Sequence, residues 1–247
     1  MPALLGVPVD VAYHLVSVLA SLLAPLAGGL AAAGAIVLFT AAVRLILLPL
    51  SYRTLRGMHE QARIAPRVRA LRDQHAGQPD KLRSELGALY KAEGTTMFAG
   101  CLPLLAQWPF FSVMYLLFRS PVIEGARNSL LAHDIFGAAL GSHWLSGAGL
   151  LSGQGAVFAG LFILLAVVAW LSSRLARRIT AAGTGGNTRA IPALPAVTRL
   201  LPYLTVAVAA FLPLATGLYL LTTSAWTVGE RAILATALAR ARPASPR

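Results

Sequence analysis

Arg44 is the residue that its surroundings do least to explain. It lies in "LFTAAVRLILLPL" (38–50), an apolar run of a kind that otherwise excludes charge. A guanidinium stays charged at any accessible pH and offers five N–H donors in a planar fork. At the centre of a bilayer it costs about 2.5–3.5 kcal/mol on insertion scales. Eight residues separate it from Tyr52, about 12 Å along a helix, and snorkelling covers only part of that. The bland accounts are a snorkelling end residue or a structural ion pair. No Asp or Glu lies in the interior of any apolar run, so an ion pair is the weaker of the two. The remaining account is a water-filled, protein-lined groove in which the cation attracts acidic or polar parts of another chain.

Other reactive residue types give less. An intramembrane serine protease needs a base beside its nucleophile, and the interiors of the runs hold no His, Asp or Glu. His133-Asp134 and His143 fall in a loop at a spacing that fits no zinc pattern. Ser152-Gly153 lacks the Gly two residues before the Ser that a nucleophile elbow requires. Cys101, the single cysteine, sits in an apolar run, where burial raises a thiol pKa; it reads as a packing residue. Trp108, Trp144, Trp170 and Trp226 read mostly as interfacial anchors. The expectation is no enzyme and no metal site.

The elements that must carry Arg44 follow from composition. The chain has 247 residues, 57% hydrophobic and only 12% charged, too little charge to cover a soluble surface. Five apolar runs stand out, at 29–51, 97–118, 156–173, 199–212 and 214–230. Pro213 divides the last two, which argues for a tight hairpin rather than one long helix.

Charge sets the orientation. Residues 51–93 carry nine Lys or Arg, 174–199 carry five Arg without an acid, and the tail after Glu230 carries four Arg. Residues 119–155 carry only Arg119 and Arg127, offset by Glu124 and Asp134. The basic blocks face the cytoplasm and 119–155 faces outward. Because these basic residues fall in blocks between apolar runs, a nucleic-acid interface is a poor reading of the basic balance, and no specific nucleic-acid sequence is expected as a partner.

The expected fold is an all-α polytopic membrane protein with five transmembrane helices, N-terminus out and C-terminus in. Asp10, His14, Ser17 and Ser21 share one helical face. They predict an amphipathic helix in the outer interface, within 1–28; a sixth span or an uncleaved signal anchor are the alternatives. No Lys or Arg precedes that stretch, so a standard signal peptide is not expected. The first span is 29–51. Residues 52–96 form a cytoplasmic helical hairpin, with an Arg-rich helix at about 53–75 that Pro66 could kink, a turn at Gly77-Gln78-Pro79, and a second helix that Asp80 caps and Gly94 ends. Leu82, Leu86 and Leu89 line its inner face. The second span (97–118), an external loop (119–155), the third span (156–173), a cytoplasmic loop (174–198), the fourth and fifth spans as a hairpin (199–230) and a basic cytoplasmic tail (231–247) complete the chain.

Several of these stretches resemble a known family. "FTAAVRLILLPLSYRTLRGM" (39–58) looks like the first core span of the YidC/Oxa/Alb membrane insertases, in bacterial short form without a large periplasmic domain. The likeness runs on through "PDKLRSELGALYKAEG" (79–94) into "GCLPLLAQWPFFSVMY" (100–115), and returns in "FLPLATGLYLLTTSAWTVGER" (211–231). It implies a cofactor-free insertase and chaperone in the bacterial inner membrane. Its clients would be nascent membrane proteins, its surroundings lipid, and its further partners the ribosome and the Sec translocon. It implies a positively charged groove in the inner leaflet, with Arg44 as its arginine and Gln107, Tyr219, Thr222, Thr223, Ser224 and Trp226 in the matching spans. The chain departs from the family at Thr96-Met97, Ala215, Ser224 and Glu230-Arg231, and its third span lacks a polar Gln, which implies a less polar groove. The rival classes are a small transporter or channel, against which stand the lack of a repeat and of an intramembrane acid, and a membrane assembly subunit with no activity of its own.

Overall fold

Helix dominates the computed structural model, which describes residues 3–94, 102–123, 125–144, 152–183 and 203–240. The chain divides into two compact units, Met1–Leu45 with Phe111–Arg247, and Ile46–Phe110.

In the first unit, α1 (Ala3–Ala27) leads through a single 3-10 turn, Gly28–Leu30, into α2 (Ala31–Ile46). Gly28 takes a φ of +52°, which a residue without Cβ adopts freely. The chain folds back there: Leu23 Cδ1 lies 3.4 Å from where a Gly34 Cβ would stand, whereas eleven residues of straight helix would set them about 16 Å apart. The apolar stretch Gly6–Ile46, with a mean hydropathy of 2.1, is therefore two segments and not one long rod.

Helix α1 has three faces. Val9, Ala12, Val16 and Ala20 are buried, and Val7, Val11, Leu15, Val18, Leu22 and Leu26 are exposed. Asp10, His14, Ser17 and Ser21 form the polar third face. At 3.6 residues per turn each set occupies about a third of the circumference. The sequence reading held only two faces; the third is the one that packs on protein.

The remaining helices of this unit are the end of α5 (Leu102–Arg119), α6 (Gly153–Gly183), α7 (203–209) and α8 (Leu214–Arg240). The break between α7 and α8 at 210–213 falls where Pro213 predicts it. One core joins Val9 and Val16 to Ala32 and Ile36, Leu117 and Phe118, and Ala215 and Tyr219. A second joins Phe158, Leu161 and Leu165 of α6 to Ala209 and Leu214. Beyond it, α6 exposes Ile163, Leu164, Val167, Trp170 and Leu171. It is apolar all round, as a membrane-spanning helix is, and Gly153–Arg177 has a mean hydropathy of 2.4.

The stretch after α5 is not the plain loop of the sequence reading. It holds two short antiparallel hairpins, β1 (Val122–Ile123) with β2 (Ala126–Arg127), and β3 (Asp134–Ile135) with β4 (Ala138–Ala139). These strands qualify the all-α expectation. Phe136 and Gly137, at φ of +50° and +82°, make the tight turn of the second hairpin, the two-residue type whose twist matches the strands. Asn128 fixes the stretch to α5: its amide donates to the carbonyls of Leu117 at 2.7 Å and Ser120 at 3.1 Å, and its oxygen accepts from Leu130 N–H.

Several helix ends meet this stretch. The Leu214 and Ala215 amides, at the start of α8, donate to the carbonyls of Ser142 and Leu140 at 3.0 Å each. Two of the orphan N–H groups at that helix end are thereby satisfied. Trp144 packs on Phe158 and Phe162 near the start of α6. Tyr13 Oη lies 3.2 Å from Ser129 Oγ, and Gly29 abuts the Asp134 carbonyl.

In the second unit, α3 (Leu48–Gln74) and α4 (Pro79–Ala92) form the expected hairpin. Ile64 and Val68 bury against Leu86, with Leu71, Leu82 and Leu89 around them. Arg63 and Arg67 each bind one carboxylate oxygen of Glu93. Three details differ from expectation. Helix α3 begins at Leu48 rather than about 53, and it runs unbroken through Pro66. Asp80 stands in the first turn of α4, where the dipole favours an acid, and the cap position is Gln78. Gly94, at a φ of +61°, does end α4.

Candidate functional site

Arg44 occupies the last turn of α2, since that helix ends at Ile46. The count to Tyr52 therefore misses a helix break at Leu47. The break explains how the chain tolerates the cation here: the last turn exposes carbonyl oxygens, and a positive charge is favoured against them. Arg44 is half-buried.

Its partner comes from the far end of the chain. Arg44 Nε donates to Thr223 Oγ1 across 3.4 Å, beyond the usual 2.7–3.2 Å range. Among the described residues this is the hydrogen bond it makes, with one of the five N–H donors a guanidinium carries.

Helix α8 sorts the expected residues by face. Tyr219, Thr223 and Trp226, at intervals of four and three, fall on one side. Tyr219 is buried in the core shared with α1, α2 and α5. Trp226 Nε1 is buried without a hydrogen-bond partner among the described residues. The hydroxyls of Thr222 and Thr227 bond back to the carbonyls of Leu218 and Thr223 at 2.9 and 2.8 Å, so both are satisfied within their own helix. Thr222 and Ser224 each project about 100° around α8 from Thr223, to opposite sides, and are the expected groove residues of α8 that this face leaves out. Gln107 lies on α5, but its side chain falls outside the described residues, as do Cys101, Thr96, Met97 and residues 184–202 and 241–247.

Two residues were missed by sequence reasoning. Glu230 lies on the same face as Tyr219, Thr223 and Trp226 and acts electrostatically on Arg44, although no ion pair within 4 Å joins them. The signal was present: 219, 223, 226 and 230 repeat at helical spacing, but in the sequence Glu230 is named only as a departure from the family pattern. Asn128 had no such signal, because its role depends on carbonyls that only the fold brings near.

The arrangement holds a cation, a hydroxyl, a buried indole N–H and a carboxylate along one helix face. It can attract anionic or hydrogen-bonding groups.

The sequence profile of the 60Kd inner membrane protein family matches residues 24–241. The chain is similar to a membrane protein insertase YidC of Helicobacter pylori, 36% identical over 102 residues, which is 41% of this chain and 19% of that protein. It is similar to proteins of the same name from Paraburkholderia phytofirmans, 39% identical over 101 residues (40% of this chain, 18% of that protein), and Acidiphilium cryptum, 40% identical over 102 residues (41% and 17%). The match spans less than a fifth of the length of each of these relatives.

Proposed function

The chain belongs to the 60Kd inner membrane protein family, and from that premise we propose that it inserts other membrane proteins into the bilayer and helps them fold. Relatives that bear the name membrane protein insertase support this reading. The observation that carries it is Arg44, a half-buried cation at the end of an apolar helix, with one long hydrogen bond to Thr223.

The proposed architecture has five crossings in the bacterial inner membrane: α2 with the apolar residues up to 51, then α5, α6, α7 and α8. Its support is twofold. The outward stretch 119–144 touches the 28–30 turn and the starts of α6 and α8, while basic residues crowd the opposite ends. Helix α1 lies in the outer interface, with one face on protein, one in lipid and one toward headgroups and water.

The mechanism follows from desolvation. A client's apolar span gains by entering lipid, but its polar or acidic flank cannot cross hydrocarbon cheaply. A groove walled by α2 and α8 offers that flank the Arg44 guanidinium and the Thr223 hydroxyl partway across. Once the span is released to lipid, the flank is left on the outer side. No covalent chemistry is involved. Nascent membrane proteins are the proposed clients, with the ribosome and the Sec translocon as further partners that rest on the family resemblance.

The test is a photoactivatable crosslinker at position 44 challenged with ribosome-bound nascent chains. Adducts with short, single-span clients are expected. Crosslinks to lipid alone, with every client inserted normally, would overturn the reading.

A further inference from the structure

We propose that Glu230 sets the client specificity of this site, as an internal acid that competes with acidic client segments for Arg44. The inference rests on the insertase reading above and deepens it.

The first support is register. Glu230 stands seven residues after Thr223 and eleven after Tyr219, two and three helical turns along the same face of α8. That is the face Arg44 meets through Thr223. A carboxylate therefore lies along the line on which the cation is presented.

The second is the state of the carboxylate. Glu230 Oε1 is withdrawn from solvent and has no hydrogen-bond partner among the described residues. A buried carboxylate oxygen left so is costly unless cations compensate it. Two cations act on it: Arg44 from α2 and Arg231 beside it on α8. Neither forms an ion pair within 4 Å. The three form a group of net charge +1 held together through space rather than by direct contact.

Such an arrangement discriminates. An acidic client group gains only the part of the Arg44 attraction that Glu230 leaves unneutralised. An uncharged client feels neither. The acid thus raises the threshold for anionic segments and prevents Arg44 from holding them too long. An interaction left at partial strength can be exchanged, which a fully formed ion pair would resist.

The test compares two clients that differ only in their translocated segment, one acidic and one uncharged, in proteoliposomes containing the full chain at matched amounts. The readout is the ratio of protease-protected acidic to uncharged client. Glu230→Gln is expected to raise that ratio about two- to fivefold, the size of one half-exposed charge interaction. Glu230→Asp, which keeps the charge on a shorter stem, is expected to stay near the parent. In an Arg44→Ala background Glu230→Gln should no longer change the ratio, because the residue acts through that cation. An unchanged ratio in Glu230→Gln, with the parent active on both clients, overturns the proposal and leaves the insertase reading standing. So does an equal change for both clients, which marks a structural residue. A parent chain that inserts neither client overturns the insertase reading itself.

Discussion

Arg44 of α2 and Thr223 of α8, 179 positions apart in the chain, meet at 3.4 Å. The contact ties the first apolar segment to the last and sets a cation against a hydroxyl rather than a carboxylate. At that length the hydroxyl orients the guanidinium without consuming it.

The proposed orientation can be read by cysteine labelling in a Cys101→Ala background with a membrane-impermeant reagent. Ala132, exposed in the outward stretch, is the suitable position there, because the nearby Leu140 is fully buried. Ala132→Cys should label in intact cells, and Ala76→Cys, in the α3–α4 turn, only after permeabilisation. His14→Cys on the polar face of α1 should label from outside. The reverse pattern at 76 and 132 contradicts the orientation.

Helix α8 approaches α6 closely at Gly217. A Cβ there would stand 2.6 Å from Leu161 Cδ2, below any ordinary contact. Gly217→Ala should lower stability by about 1–3 kcal/mol, the usual cost of overpacking, read as a shift in Tm in detergent. The loss should largely vanish in a Leu161→Ala background, where the obstructing methyl is gone. An equal loss in both backgrounds would place the strain elsewhere.

The hairpin can be loosened without touching the spans. Leu86 is buried between Ile64 and Val68, and Leu86→Ala should cost that unit about 2–5 kcal/mol. Client insertion should fall while the chain still reaches the membrane. Deleting 54–92 should do the same more severely. Wild-type insertion after the deletion would show that the hairpin has no part in the activity.

How much of this was legible beforehand depends on the range of each signal. Leu82, Leu86 and Leu89 were readable as an inner face because side chains at that spacing share one side of a helix whatever the fold. Gly94 and Pro213 were readable because their backbone limits are local. The end of α2 at Ile46 was not: Leu47 and Leu48 carry no terminating chemistry, and Pro49 suits the first turn of the next helix as well as a break. The two short β-hairpins were hidden because each strand has two residues, too few to show a period. Arg44 could be singled out by its surroundings, but Thr223 could not be named as its partner, since a contact across the whole chain leaves no trace in either neighbourhood. Glu230 stood out only as a departure from the family pattern, because its place on the Arg44-facing side of α8 follows from the Arg44–Thr223 contact.

The Arg44 substitution series, read on clients with acidic and with purely apolar translocated segments and normalised to the chain's abundance in the membrane, tests the central claim most directly. Arg44→Lys should retain much of the activity, since it keeps the charge and loses only the planar fork. Arg44→Ala should fail on acidic clients and spare apolar ones, and Arg44→Glu should be worst. Equal activity of all three variants on both clients at equal abundance would contradict the groove account.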